Sequence, residues 1–140
     1  MLRASLLATA LTLCLATAAS AAMIEYKATL DGKSEVPPNA TTGFGGLVAT
    51  LDTTTKSLTY TLTFQGLSGP AGAAHFHGPA AAGANAGVAL PIGGKGPASP
   101  VTGTATLTDT QVADLEAGKW YVNVHTAANP GGEIRGQVTK

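Results

Sequence analysis

Ser57-Leu58-Thr59-Tyr60-Thr61-Leu62-Thr63-Phe64 is the stretch that decides the fold. Leu58, Tyr60, Leu62 and Phe64 alternate with threonines, the two-residue period of a strand that buries one face and wets the other. Threonine on the wet face and aromatics on the dry one both suit a pleated surface. The same period recurs upstream. Met23 to Leu30 sets Ile24, Tyr26, Ala28 and Leu30 against Glu25, Lys27 and Thr29, and Gly45 to Asp52 reads as a strand through Leu47, Ala49 and Leu51. Asp31-Gly32 closes the first as a turn, and Thr53-Thr54-Thr55-Lys56 reads as a hairpin connection.

Downstream, Gly66 to Pro100 is rich in Gly, Ala and Pro and is expected to be mostly irregular, with short strands near His75 and at Val88 to Ile92. Long loops of this kind in compact domains are functional or disordered. Val101 to Leu107 reads as a further strand. Thr108-Asp109-Thr110-Gln111 fits a capping box, and Val112, Leu115 and Gly118 suit a short helix with a glycine stop. Trp120 to Thr126 and Glu133 to Thr139 read as final strands around the turn Asn129-Pro130-Gly131-Gly132. Seven or eight short strands and one brief helix predict an all-β fold, an antiparallel sandwich or barrel in a single domain over residues 23–140.

Residues 1–22 read as an export signal. Arg3 supplies the positive start, Leu6 to Leu15 the apolar run, and Ala19-Ser20-Ala21 or Ser20-Ala21-Ala22 the small-residue cleavage site. The apolar run is too short for a membrane span, so a secreted or periplasmic protein without a spanning segment is expected. Cys14, the single cysteine, lies inside this leader, and Leu13 does not match the small residue expected before a lipid-modified cysteine. Without Arg3 the eight basic side chains become seven against eight acidic ones, a net charge of −1 with the histidines neutral. The basic residues are scattered singly, which gives no reason to propose nucleic acid or an anionic membrane as partner. A protein or cell-envelope partner is left unidentified.

All three histidines fall in two strand-like segments, Ala74-His75-Phe76-His77-Gly78 and Tyr121-Val122-Asn123-Val124-His125. Side chains two apart share a face, so His75 pairs with His77 on one segment, and Tyr121, Asn123 and His125 line up on the other. Three neutral imidazoles suit Cu(II), which binds such a site more tightly than Zn(II), and leave a position open. Ligation of one ion would place the ring nitrogens within roughly 3–4 Å of each other. Simple hydrogen bonding of His75 and His77 to loop carbonyls, with Phe76 in the core, is the plainer alternative.

Other features have plain readings too. Glu35-Val36-Pro37-Pro38 reads as rigid protection of a sheet edge, or else as a recognition loop. Glu133 and Arg135, two apart, could pair as a surface ion pair worth ~0.2–1 kcal/mol, or orient a ligand. Together with Asn123 they are candidates for the rim of a His75/His77/His125 site. Trp120 and Tyr121 suit packing at a strand entry. Asn39-Ala40-Thr41 fits a glycosylation acceptor. No catalytic residue set is assigned: there is no phosphate loop before a helix, no defensible Ser/His/Asp order and no paired-carboxylate site.

Glu35-Val36-Pro37-Pro38, Ala74 to Pro79, Tyr121 to Thr126 and Gly132 to Gln137 together resemble, in order and spacing, the CHRD (chordin-type) domain family, over about Tyr26 to Val138. The family includes repeats in the animal protein chordin and many bacterial secreted proteins. The resemblance implies an exported binding module more than a defined activity. A weaker similarity is to copper/zinc superoxide dismutases, which also place a His-x-His pair on one strand of a Greek-key sandwich and a copper-binding histidine late in the chain. It implies an immunoglobulin- or dismutase-like Greek-key sandwich, His75, His77 and His125 as copper-type ligands, and Arg135 as an anion guide near the mouth. Missing are a bridging histidine, a zinc cluster and the cysteines of that family's disulfide. Three readings follow: a metal-binding module, a copper redox enzyme, and a metal-free structural or adhesive envelope domain.

Overall fold

In the computed structural model the described residues are 22–140, so the leader reading of residues 1–22 and the Cys14 question fall, Ala22 apart, outside them. Eight antiparallel strands and one short helix follow the sequence period closely. They are β1 (Met23–Asp31), β2 (Phe44–Asp52), β3 (Ser57–Gln65), β4 (Ala71–His77), β5 (Val88–Ile92), β6 (Val101–Thr106), α1 (Asp109–Glu116), β7 (Tyr121–Thr126) and β8 (Ile134–Gln137). The strands form one nearly closed sheet in the order β5-β4-β7-β8-β1-β2-β3-β6.

The alternation of β3 explains its position. Leu58, Tyr60 and Leu62 are buried, and Thr59, Thr61 and Thr63 are exposed. Its partners repeat the pattern: Leu47, Ala49 and Leu51 of β2, and Tyr26, Ala28 and Leu30 of β1, are buried with it. On the other half of the sheet Ala74, Phe76, Val122, Val124 and Ile134 join the same core. The edge of Tyr60 on β3 meets the ring of Phe76 on β4 with centroids 5.4 Å apart, although the two strands are not neighbours in the sheet. The sheet is therefore folded so that its halves face each other across one apolar layer, the sandwich that the sequence predicts.

The fold turns at the β8–β1 seam. The ladder there is a single pair, Asp31 with Arg135, supplemented by an isolated bridge in which Lys27 and Thr139 exchange hydrogen bonds of 2.8 and 2.9 Å. Gly136 sits between them so close to the Thr29 carbonyl that a Cβ would overlap it. Helix α1 spans the opposite gap, between the free edges of β6 and β5. Its expected capping box is present, with Thr108 Oγ1 accepting from Gln111 N–H and Gln111 Oε1 accepting from Thr108 N–H. The amide of Gln111 also donates to the Ala89 carbonyl of β5, which ties the helix to that edge. Gly118, at φ +69°, ends the helix as expected.

Two sequence expectations are corrected here. The Glu35-Pro38 segment protects no edge, because β1 lies inside the sheet between β8 and β2. It is a loop folded against the Ala128–Gly132 turn, held by Asn39, whose amide donates to the carbonyls of Gly132 and Glu133. That amide is the atom a glycan would use, and it is already engaged. Glu133 and Arg135 are not a surface ion pair either: both are buried, and their partners differ. Trp120 and Tyr121 are packing residues, as expected, both buried at the start of β7.

Candidate three-histidine site

Strands β4, β7 and β8 turn a second face away from the apolar core, and this face is polar. Antiparallel register sets His77 opposite Tyr121 and Tyr121 opposite Gln137; the next row is His75, Asn123 and Arg135. The same unbroken register sets His125 opposite Ala73, diagonal to His75, and the register shifts only beyond that pair, between Ala73 and Ala71. Diagonal neighbours on a sheet face lie within reach of long side chains. His75 Nδ1 and His125 Nε2 are accordingly 3.1 Å apart.

His77 completes the group: one ring nitrogen from each of the three histidines lies within 4.8 Å of the other two. This is somewhat wider than the 3–4 Å expected for a closed ligand set, while the His75–His125 pair already meets it. Carbonyl oxygens fix two of the tautomers. His77 Nδ1 donates to Ala86 O and His125 Nδ1 donates to Pro130 O, each at 3.0 Å, because a carbonyl can only accept. Both rings therefore leave Nε2 as an acceptor, and that of His125 faces His75 Nδ1 at 3.1 Å. For His77 that nitrogen is buried with no partner. Burial chiefly, and then the neighbouring rings of His125 and His77, lower the pKa of His75. Burial likewise lowers that of His125 and prevails over the Pro130 hydrogen bond, which favours the charged form. Such rings are neutral at neutral pH, the form that binds metal.

Around them the polar face is covered by the loop between β4 and β5. Arg135 spans the underside of this loop, donating to Asn85 Oδ1 at 2.9 Å and to Ala84 O at 2.5 Å. Its guanidinium carbon also lies 3.4 Å from the centre of the Tyr121 ring, and Tyr121 stacks parallel on His77 at 4.8 Å. Arg135 is 2% exposed and points at loop carbonyls, so it is no anion guide at a site mouth. Glu133 accepts from the hydroxyls of Thr41, Ser68 and Thr126 and from Ser68 N–H. Burial pushes its pKa up, but these donors outweigh burial and hold the carboxyl at about 2. Glu133 thus fastens both ends of the turn that presents the Pro130 carbonyl to His125.

A family model for the CHRD domain matches residues 26–138. The chain belongs to the CHRD domain family. No curated protein and no solved structure gives a significant match. In this CHRD domain the four motifs that carried the resemblance meet around one site: Glu35 enters from the first, His75 and His77 from the second, Tyr121 to His125 from the third, and Gly132 to Gln137 from the fourth. Gly132 has φ +133°, which favours glycine, and a Cβ there would displace the side-chain ends of Glu35 and Asn123.

The sequence drew the three histidines and Asn123 to one face. The loop carbonyl expected for His77 is that of Ala86, and Phe76 is in the core, but the sequence did not foresee that Glu35 is buried, that Pro130 anchors His125, or that Thr41 and Ser68 hold Glu133. The short-range clue was Gly132, since a glycine beside Glu133 signals close backbone approach. His75 and His125 are half-buried, and beside His75 a depression of about 200 Å³ is lined by Gly72, Ala73, Pro91 and Gly93. The larger depressions among the described residues carry no histidine.

Proposed function

We propose that this CHRD domain is an exported binding module that holds one divalent transition-metal ion through His75, His77 and His125, with Cu(II) preferred and Zn(II) second. The observation that carries this reading is the pair of anchored tautomers within the three-ring cluster, which leave Nε2 of His77 and His125 as acceptors, that of His77 buried without a partner. Metal-ligating histidines characteristically give their other N–H to a carbonyl or carboxylate, which fixes the ring and raises its basicity. The preference for copper follows from the affinity order of nitrogen sites. Asn123 lies at the site rim, while Glu133 and Arg135 hold the turn and the loop that supply the anchoring carbonyls. Export rests on the leader pattern of residues 1–22. Among the described residues no helix is long and apolar enough to cross a membrane.

The test is calorimetric titration of the purified protein with Cu(II) and Zn(II), beside His77→Ala. One equivalent of Cu(II) should bind the parent, and the variant should bind at least about a hundredfold more weakly. Equal, negligible uptake by both would remove the metal reading and leave a structural envelope domain, for which replacing all three histidines changes neither folding nor partner binding. The dismutase-like alternative has lost its anion guide, because Arg135 is committed to the covering loop. A copper-loaded sample that consumed superoxide well above free copper would restore it.

A further inference from the structure

We infer that Asn123 positions the fourth, non-protein ligand of the metal, and that its amide oxygen selects a ligand carrying an O–H or N–H, water first, over an aprotic anion. This rests on the three-histidine reading above and adds to it a residue that sets what the open position accepts.

Asn123 is 2% exposed and lies on the polar face between its strand mates Tyr121 and His125, with His75 opposite it on β4 and Arg135 opposite it on β8. Its Nδ2 faces Glu35 Oε1 at 3.5 Å, and Glu35 reaches in from the β1–β2 connection. The oxygen and nitrogen of an amide diverge from one carbon. Nδ2 is the branch that meets Glu35, and Oδ1 is the other branch of an amide whose register partner on β4 is His75. That oxygen is fully buried and has no donor. A buried acceptor left unpaired is costly enough to need an explanation.

No side chain nearby is free to pair with it. Arg135 gives its N–H groups to Ala84 and Asn85 and its face to Tyr121. His77 Nδ1 and His125 Nδ1 are taken by backbone carbonyls, and His75 Nδ1 gives its proton to His125 Nε2, which leaves none on His75 Nε2 in the neutral ring. Three imidazoles leave a metal one position for an exogenous ligand. A ligand there with a proton to give satisfies Asn123 Oδ1. One without a proton meets a carbonyl oxygen with no donor of its own, in a site whose one nearby guanidinium gives its N–H groups to the covering loop and its face to Tyr121.

The inference is tested with the Cu(II)-loaded parent, Asn123→Leu and Asn123→Asp. Azide affinity is read from its charge-transfer band with copper, and the coordinated water from water-proton relaxation. The parent should bind azide weakly and relax water protons. Asn123→Leu, which removes the acceptor at similar volume, should bind azide about tenfold more tightly or better and lose relaxation enhancement, the scale of one hydrogen bond. Asn123→Asp keeps an acceptor and adds charge, so it should retain the relaxation and bind azide more weakly than the parent. Equal azide affinity and equal relaxation in parent and Asn123→Leu, with copper bound by both, would overturn the role of Asn123 alone. Should Asn123→Leu fail to fold, azide binding by Asn123→Asp as tight as the parent's would do the same. A parent that binds no copper would overturn the three-histidine reading itself, and this inference with it.

Discussion

Glu133 is a carboxylate whose energetics are set by three hydroxyl donors and one backbone N–H. Its pKa of about 2 lies below the ordinary 4.5, so the folded state binds the proton less readily than the unfolded chain. The stabilisation is therefore complete above about pH 4.5 and is lost as pH falls toward 2. Urea melts between pH 6 and 2 should show this loss in the parent, while Glu133→Gln should show little of it. At pH 7 that variant should be about 2–3 kcal/mol less stable, since a charged acceptor is replaced by an amide that presents N–H to the same donors. The histidines have the same sign and a higher window. The pKa values of His75 and His125 are lowered on folding, so protonation favours the unfolded chain, and metal-free protein should lose stability as pH drops below about 6.5. His75→Ala/His125→Ala should flatten that slope in thermal melts. The histidines were legible in the sequence because a strand's period of two depends only on neighbours along the chain. The partners of Glu133 and Arg135 were not, since Thr41, Ser68, Ala84 and Asn85 come from irregular segments whose paths no periodicity records. Two residues that read as an exposed ion pair are in fact buried and point to different loops.

At the scale of elements, the strands were almost fully readable. Their alternation continues along nine residues in each of β1, β2 and β3, and a shift of one residue would have exposed the whole apolar set. What could not be read was where the sheet turns over. That happens at Gly136, which owes its place to a backbone from the other end of the chain. Gly136→Ala should cost roughly 1–3 kcal/mol by forcing β8 away from Thr29, and hydrogen exchange should then quicken at Lys27 and Thr139 before it does in β3. The covering loop supplies a second prediction at this scale. At residues 84–86 it is held by Arg135, Tyr121 and His77, and at Ala80 by Gln137 and the Lys119 carbonyl. Arg135→Met keeps much of the volume and removes the donors, so amide exchange across residues 83–87 should rise about tenfold or more, the scale of one or two hydrogen bonds, while the apolar strands keep their protection. Equal exchange in both proteins would mean that the loop is held by something other than this guanidinium.

Taken as a whole, the molecule is one apolar layer between two halves of a bent sheet, with a polar layer on the back of one half. Phe76 and Tyr60 join the halves, and Phe76 is fully buried. Phe76→Ala should therefore destabilise the entire domain by about 3–5 kcal/mol in a single cooperative transition, rather than loosening β4 alone. His75 and His77 flank Phe76, so the strand that anchors the core also aims the candidate ligands, and their geometry is as rigid as the packing beneath them. The bridge between Lys27 and Thr139 has a different consequence. It brings the last residues of the domain alongside the first strand, only four positions, or roughly 13 Å, from Met23. A short glycine-serine tether could therefore join Lys140 to Ala22, and the ring could be reopened at Thr54-Thr55 without cutting a rung of the ladder. Such a rearranged chain would begin with β3 and end with β2, and it should still assemble the same core.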